Sequence, residues 1–145
     1  MKLPNAKEIN PYESLDGQYA CKSFLNKNLD EAEVLFRDNS LHYQEDLMWM
    51  GPVAFRYYVQ AAIRYIRSDA AADDHAIISC MAMILEFRLE HESAELVPIA
   101  GQLASICNYI VEHYERFDVT PEVFGDVRAR FQALQQVFLS CDRAA

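Results

Sequence analysis

The chain has little of several features that would point to a particular kind of protein. It holds four Gly and five Pro in 145 residues. That scarcity disfavours an all-β fold, in which tight turns recur at short intervals. With 13 basic against 22 acidic residues, the formal net charge is -9. We expect no nucleic acid among the partners, because binding it requires Lys and Arg that neutralise phosphates.

The four cysteines, Cys21, Cys80, Cys107 and Cys141, are widely spaced. They form no C-x-x-C pair and no Cys/His cluster with zinc spacing. We therefore expect reduced thiols and a cytoplasmic protein. The polar N-terminal segment lacks the apolar core of a signal peptide. No apolar run approaches the roughly 20 residues of a membrane helix, so we also expect no membrane association.

What the chain does contain is helical periodicity. Hydrophobic residues make up 52% of it, and they recur at helical spacing, while no segment alternates with period two. The sequence predicts an all-α fold, a single compact bundle of about five helices over residues 28–145. Residues 1–27 carry Pro4, Pro11 and Gly17 and are predicted to form an irregular arm.

Capping and breaking residues indicate where the helices begin and end. Asn28 and Glu31 have the spacing of a capping box. Asn39-Ser40 is expected to break the first helix, and Gly51-Pro52 to open the second. The later helices are expected over about 74–91, from Ser93 or Pro98 to about 117, and from Pro121 to Cys141.

The segment Leu47–Ile66, LMWMGPVAFRYYVQAAIRYI, is the most distinctive part of the chain and holds its only Trp. It resembles a family of small bacterial proteins of unknown function that share a pattern of the type W-x-G-P-x-A-F-x-Y-Y. The matching residues are Trp49, Pro52, Ala54, Phe55, Tyr57, Tyr58 and Ala61. Val59 and Gln60 depart from the pattern, since the family often has Leu-Pro there. The resemblance implies no activity and supplies no catalytic residues.

The motifs of common catalytic and metal sites are missing. The sequence has no Glu-x-x-His pair, no HExxH, no EF-hand spacing, no phosphate-binding glycine loop and no Gly-flanked serine elbow. We expect no metal and no cofactor. These absences favour a non-enzymatic protein without excluding an enzyme, because catalytic triads can assemble from distant residues.

Two groups of polar residues are candidates for binding. His42, Glu45 and Asp46 precede Trp49 at helical spacing and could hold a cation or a basic side chain. The competing interpretation, which we favour, is an exposed acidic turn. Arg56 and Arg67 lie on the outer face of the second long helix. They could bind a partner, although pairing with nearby acids is the simpler role.

Arg88 stands out because it lies in the middle of an apolar helix face. A buried Arg needs a partner, since an isolated buried charge is very costly. We hypothesise that Arg88 reaches an acid of the Glu45-Asp46 segment. The alternative is that its head group extends to water from near the helix end.

Three functions remain open on the sequence alone. The leading hypothesis is a non-enzymatic interaction protein, such as an immunity or regulatory protein, that binds a basic partner. The alternative is a domain that binds a small molecule or metal, conceivably an enzyme, with a pocket near Trp49 and Arg88. A homodimer formed through apolar helix faces is the third.

Overall fold

The structure is a computed structural model that describes residues 2–144. The described residues contain no β-strand, which confirms the all-α prediction. The chain divides into two compact units between Ala70 and Ala71. The first unit holds α1 to α4 and the second α5 to α8. The helices are α1 Ala6–Ile9, α2 Leu15–Phe24, α3 Leu29–Trp49, α4 Pro52–Arg67, α5 His75–Leu96, α6 Ala100–Glu112, α7 Pro121–Phe124 and α8 Val127–Ala144.

The N-terminal segment is not an irregular arm, as the sequence had suggested, because it forms α1 and α2. Asn5 and Glu8 make a reciprocal capping box on α1, with N···O distances of 2.8 and 2.9 Å. Ser14 caps α2 by accepting a hydrogen bond from the backbone N–H of Gly17 at 3.0 Å. These caps satisfy helix-end N–H groups that would otherwise lack partners. The prediction of an irregular arm rests on Pro4, Pro11 and Gly17 and leaves these caps out of account.

The third helix contains the predicted break at Asn39. Asn28 and Glu31 form the predicted capping box at its start. Asn39 then leaves helical geometry, with φ -160° and ψ 79°, and its side chain accepts a hydrogen bond from the backbone N–H of His42 at 3.2 Å. Asn39 therefore acts as the N-cap of the second half of α3, residues 40–49, which is helical.

The fourth helix begins at Gly51-Pro52 as predicted. Gly51 is required there because a Cβ would lie 2.5 Å from the carbonyl oxygen of Glu8. The same approach lets the Gly51 N–H donate to the carbonyl oxygen of Ile9 at 2.9 Å. Helical spacing places one set of apolar and aromatic residues of α4 on a single face, and all of them are buried, namely Ala54, Phe55, Tyr58, Ala61, Ala62, Tyr65 and Ile66.

Aromatic rings form the core of the first unit. The ring of Phe24, at the end of α2, lies 5.9 Å from that of Phe36 and 4.9 Å from that of Tyr58. The Tyr58 hydroxyl donates to the carbonyl oxygen of Phe24 at 2.7 Å and lies 2.8 Å from that of Lys27. This buried hydroxyl fixes the C-terminal end of α2 against α4.

In the second unit, α5 begins close to residue 74 as expected, and Asp74 caps it by accepting a hydrogen bond from the N–H of Ile77 at 3.2 Å. The predicted last helix is interrupted. Pro121 begins only the short α7, and Gly125 then takes φ 74°, a conformation that favours glycine. Val123, which helical spacing places on the same apolar face as Val127 and Phe131, is instead 71% exposed. The helix resumes as α8, which packs along α6.

The stretch His75–Glu112 in the second unit is long and apolar enough, by composition, to cross a membrane. Its most apolar 18-residue window has a mean hydropathy of 1.3, and 44% of that window is buried inside the structure. Buried core helices of soluble proteins share this composition, so it is weak evidence for a membrane span.

Candidate functional site: a cleft between α2 and α3

A cavity of about 690 Å³ opens in the first unit between α2 and the second half of α3. We call it the α2–α3 cleft. Its walls come from α2, which Ser14 caps, and from α3, whose second half Asn39 caps. The lining residues are Asp16, Tyr19, Lys22 and Ser23 of α2, His42, Tyr43, Glu45, Asp46 and Trp49 of α3, and also Lys27 and Leu35.

Helical spacing explains why these side chains share the cleft. His42, Glu45, Asp46 and Trp49 follow one another at i, i+3, i+4 and i+7, which places them on one face of a helix. Because Asn39 caps residues 40–49, this segment is helical and the four side chains lie on the same face. The structure therefore brings together four of the seven candidate residues on one wall.

Asp46 is the most unusual residue of the cleft. It is only 8% exposed, and its Oδ2 atom is buried with no hydrogen-bond partner. Burial raises the pKa of the Asp46 carboxyl above its usual range. A hydrogen bond from the Ser23 side chain and the charge of His42 oppose this increase in pKa, while Glu45 adds to it. Asp46 is thus a poorly satisfied acid rather than part of an exposed turn.

The charges of the cleft are mixed, with an excess of acid around Asp46. Glu45 and Asp16 both raise the pKa of Asp46 by their negative charge. Lys22 and Lys27 also line the cleft. Within residues 2–144, no group of three or more His, Cys, Asp or Glu side chains is arranged to hold a metal ion. The cleft therefore combines the carboxylates of Asp16, Glu45 and Asp46 with two lysines.

Exposed aromatic side chains border the cleft. Tyr19 is 58% and Trp49 45% exposed, although both are large rings that usually lose water contact in a folded core. Tyr43 is held more firmly, since the ring of His42 meets it edge-on at 4.8 Å and that of Phe24 at 6.2 Å. An occupant of the cleft would therefore find ring faces and edges beside the carboxylates.

The other three candidate residues lie elsewhere. Arg56 and Arg67 are on α4 and are not lining residues of the α2–α3 cleft. On the same helix, Arg64 forms an ion pair with Asp30 at 3.2 Å. This is the kind of pairing with a nearby acid that the sequence favours for the arginines of α4. Arg88 is buried in the second unit, where it pairs with Glu92 one turn along α5. Its proposed link to the Glu45-Asp46 segment stays a prediction.

The sequence reasoning missed the α2 wall. Asp16, Tyr19 and Ser23 recur at i, i+3 and i+7, the spacing of one helix face, directly after the N-cap residue Ser14. That pattern could have identified both the helix and its polar face. It was overlooked because the segment was assigned to an irregular arm.

The comparisons with known proteins add no relative. The chain matches no family model, no curated protein sequence and no solved structure. The resemblance of the segment around Trp49 to a bacterial family therefore stays a prediction.

Proposed function

We propose that the protein is a non-enzymatic interaction module whose α2–α3 cleft binds a basic segment of another protein. The observation that carries this proposal is Asp46, a residue only 8% exposed that lines an open cavity and has one carboxylate oxygen without a hydrogen-bond partner. An unsatisfied buried acceptor costs roughly 1–3 kcal/mol. A cationic group seated in the cavity beside Asp46 would offset the cost of its buried negative charge.

Charge complementarity supports a basic partner. The net charge of -9 favours the approach of positively charged proteins and raises their association rate. Close to the cleft, Asp16 and Glu45 place two further carboxylates around Asp46. The long-range field and the local charges would therefore act in the same direction.

The aromatic border supports a protein partner. Trp and Tyr are enriched among the residues that dominate binding energy at protein interfaces. Trp49 and Tyr19 are large, exposed and adjacent to the acidic centre, and Leu15 of α2 is 65% exposed one turn before Tyr19. A basic segment that also carries apolar side chains would cover these residues. Such a module fits an immunity or regulatory protein of the cytoplasm.

The test is direct binding of peptides to the full chain. Trp49 is the only tryptophan, so its fluorescence reports on the cleft without a label. We expect a basic twelve-residue peptide to change this fluorescence and an acidic peptide of the same length not to. Amide chemical shifts should change in α2 and in residues 40–49.

Matched variants identify the site. Asp46→Asn should weaken the basic peptide by about tenfold or more, because a buried charge-assisted contact is lost. Asp38→Asn removes the same charge from an exposed position of α3 outside the cleft and should leave the affinity within about twofold. Equal binding of both peptides, or equal affinity of the two variants, would contradict the proposal.

The cavity volume favours a second candidate function, the binding of a small molecule. About 690 Å³ lies within the range of roughly 300–1,000 Å³ that is usual for ligand pockets. A small organic cation would use the same carboxylates and rings. Native mass spectrometry of the protein purified from its own cells would detect a retained ligand, and this candidate is rejected if the mass equals that of the chain alone.

A further inference from the structure

We propose that the group seated in the α2–α3 cleft is an arginine side chain, with its guanidinium against Asp46, and that the cleft discriminates against lysine. This inference rests on the proposed function and names the chemistry of the residue that the partner inserts. It depends on three features of the cleft, which are the burial of the anchor, the number of acceptors around it and the rings beside it.

Burial of the anchor favours a guanidinium. Asp46 is 8% exposed, and its unpartnered oxygen is inaccessible to bulk water. A cation that enters the cavity beside this carboxylate must lose much of its own hydration. A guanidinium is more weakly hydrated than an ammonium group, so arginine loses less on entering such a site. The ammonium group of lysine is more strongly hydrated, so lysine loses more hydration free energy than arginine on entering the cleft.

The number of carboxylates in the cleft favours a group with several donors. Asp16, Glu45 and Asp46 all line the cavity, and the negative charges of Asp16 and Glu45 act on Asp46. A guanidinium has five N–H donors in a fixed planar fork and can serve more than one carboxylate at once. An ammonium has three donors around a compact, strongly hydrated charge and lacks the planar fork that pairs with a carboxylate through two parallel hydrogen bonds.

The rings beside the carboxylates favour a flat cation. Tyr19, Tyr43 and Trp49 all line the cleft. Arginine stacks its planar group on aromatic faces and keeps its in-plane N–H donors available to carboxylates. His42 meets Tyr43 edge-on at 4.8 Å, which limits the movement of that ring. A preordered ring lowers the entropy lost on binding.

The two lysines that line the cleft leave room for only one positively charged side chain from the partner. Lys22 and Lys27 line the same cavity as Asp46, so a second positive side chain would meet like charges. We therefore expect a single arginine inside the cleft, with any further basic side chains of the partner segment lying outside it.

The test uses the full chain and three twelve-residue Gly/Ser peptides that differ only at the central residue, which is arginine, lysine or citrulline. Citrulline has nearly the shape of arginine without its charge. Affinities are measured by Trp49 fluorescence and calorimetry at low salt. We expect the arginine peptide to bind about tenfold more tightly than the lysine peptide, and the citrulline peptide not to bind.

Variants then assign the preference to the cleft. Asp46→Asn should lower the affinity for the arginine peptide to that for the lysine peptide. Trp49→Phe, measured by calorimetry, should reduce the ratio of the affinities for the arginine and lysine peptides. Asp38→Asn is the control with the same loss of charge and should keep the ratio. Amide spectra establish that each variant is folded. The citrulline comparison needs no variant and remains decisive if Asp46→Asn does not fold.

The outcomes separate this inference from the proposed function. Equal affinity for the arginine and lysine peptides would overturn the arginine preference while leaving a cleft for basic segments. Binding of polybasic peptides without any binding of the single-arginine peptide would also overturn it. If no basic peptide of any kind binds, both proposals fail.

Discussion

At the scale of single residues, Asp46 and Tyr58 show two opposite treatments of a buried polar group. The Tyr58 hydroxyl is fully buried and has two carbonyl oxygens within 2.8 Å. Asp46 is almost as buried and has an oxygen with no partner. The first arrangement stabilises the fold, whereas the second is a cost that binding sites often carry.

Removal of the Asp46 charge should stabilise the protein. We expect Asp46→Asn to raise the free energy of unfolding at pH 7 by up to ~1 kcal/mol, because an ionised and incompletely paired buried carboxylate is lost. The folded-state pKa is raised, so the ionised form destabilises the native state above that pKa. The cost disappears below the unfolded-state pKa of about 3.9.

The difference in stability between the two proteins should therefore shrink as the pH falls from 7 toward 4. Urea unfolding at a series of pH values measures it. Asp38→Asn, at an exposed position, should show no such dependence. A variant Asp46→Asn that is less stable than the wild type at pH 7 would contradict this account.

Loss of the Tyr58 hydroxyl should destabilise the first unit. Tyr58→Phe removes the hydroxyl donor to the Phe24 carbonyl, which keeps only the hydrogen bond from the Lys27 N–H at 3.0 Å. We expect a loss of ~0.5–1.5 kcal/mol in the free energy of unfolding, the usual value for one hydrogen bond. Burial raises the pKa of Tyr58 to about 12, above an unfolded value near 10. Its protonated form therefore contributes stability below pH 10 that is lost between about pH 10 and pH 12.

Thermal unfolding at alkaline pH tests the Tyr58 prediction. The stability of the wild type should fall more steeply than that of Tyr58→Phe over this interval. Comparison of the two proteins cancels the contribution of Cys107, whose pKa burial also raises to about 12. Parallel pH curves for the two proteins would be inconsistent with the assigned role of the hydroxyl.

At the scale of the elements, two asparagine caps divide α3 into parts with different roles. Asn28 caps the first half through its reciprocal pair with Glu31. Asn39 caps the second half, which carries one wall of the α2–α3 cleft. Both caps use the same chemistry, so they form a natural pair for separating stability from binding.

We expect Asn28→Ala and Asn39→Ala each to lower the free energy of unfolding by ~1 kcal/mol, the usual cost of a lost N-cap. Only Asn39→Ala should lower the affinity for a basic peptide, by about threefold to tenfold, because it loosens the helix that positions Asp46 and Trp49. Denaturant unfolding and calorimetry measure the two effects. Equal loss of affinity in both variants would mean that α3 responds as one rigid helix.

The helix boundaries differ in how far local chemistry determines them. The break at Asn39, the start of α4 at Gly51-Pro52 and the cap at Asp74 were all predictable, because each depends on a few neighbouring residues. The end of α7 was not. Gly125 interrupts a continuous apolar pattern with φ 74°, and the hydrophobic spacing on either side gives no sign of that interruption.

At the scale of the whole molecule, net charge is the property that matters for the proposed partner. A charge of -9 acts over a Debye length that shrinks from about 30 Å at 0.01 M salt to about 10 Å at 0.1 M. The buried Asp46 is screened much less. Steering and anchoring should therefore respond differently to salt.

We expect the association rate constant of a basic peptide to fall about fivefold or more between roughly 0.02 and 0.3 M NaCl. The dissociation rate constant should change by less than about twofold, because the contacts around Asp46 are shielded from the ions. Stopped-flow measurement of Trp49 fluorescence gives both constants. A dissociation rate that increases as steeply as the association rate falls would place the bound cation on the exposed surface instead.

The sequence by itself determined the helical class, most helix starts, the buried face of α4 and the grouping of His42, Glu45, Asp46 and Trp49. These features depend on caps, breakers and spacing within one or two turns. Only the tertiary structure decided that residues 15–24 form a helix and that Asp46 is buried. A ten-residue helix is marginal alone, and α2 is stabilised by packing that buries Ala20 and Phe24. The burial of Asp46 is a tertiary property too, because it depends on elements distant in sequence that pack against its helix.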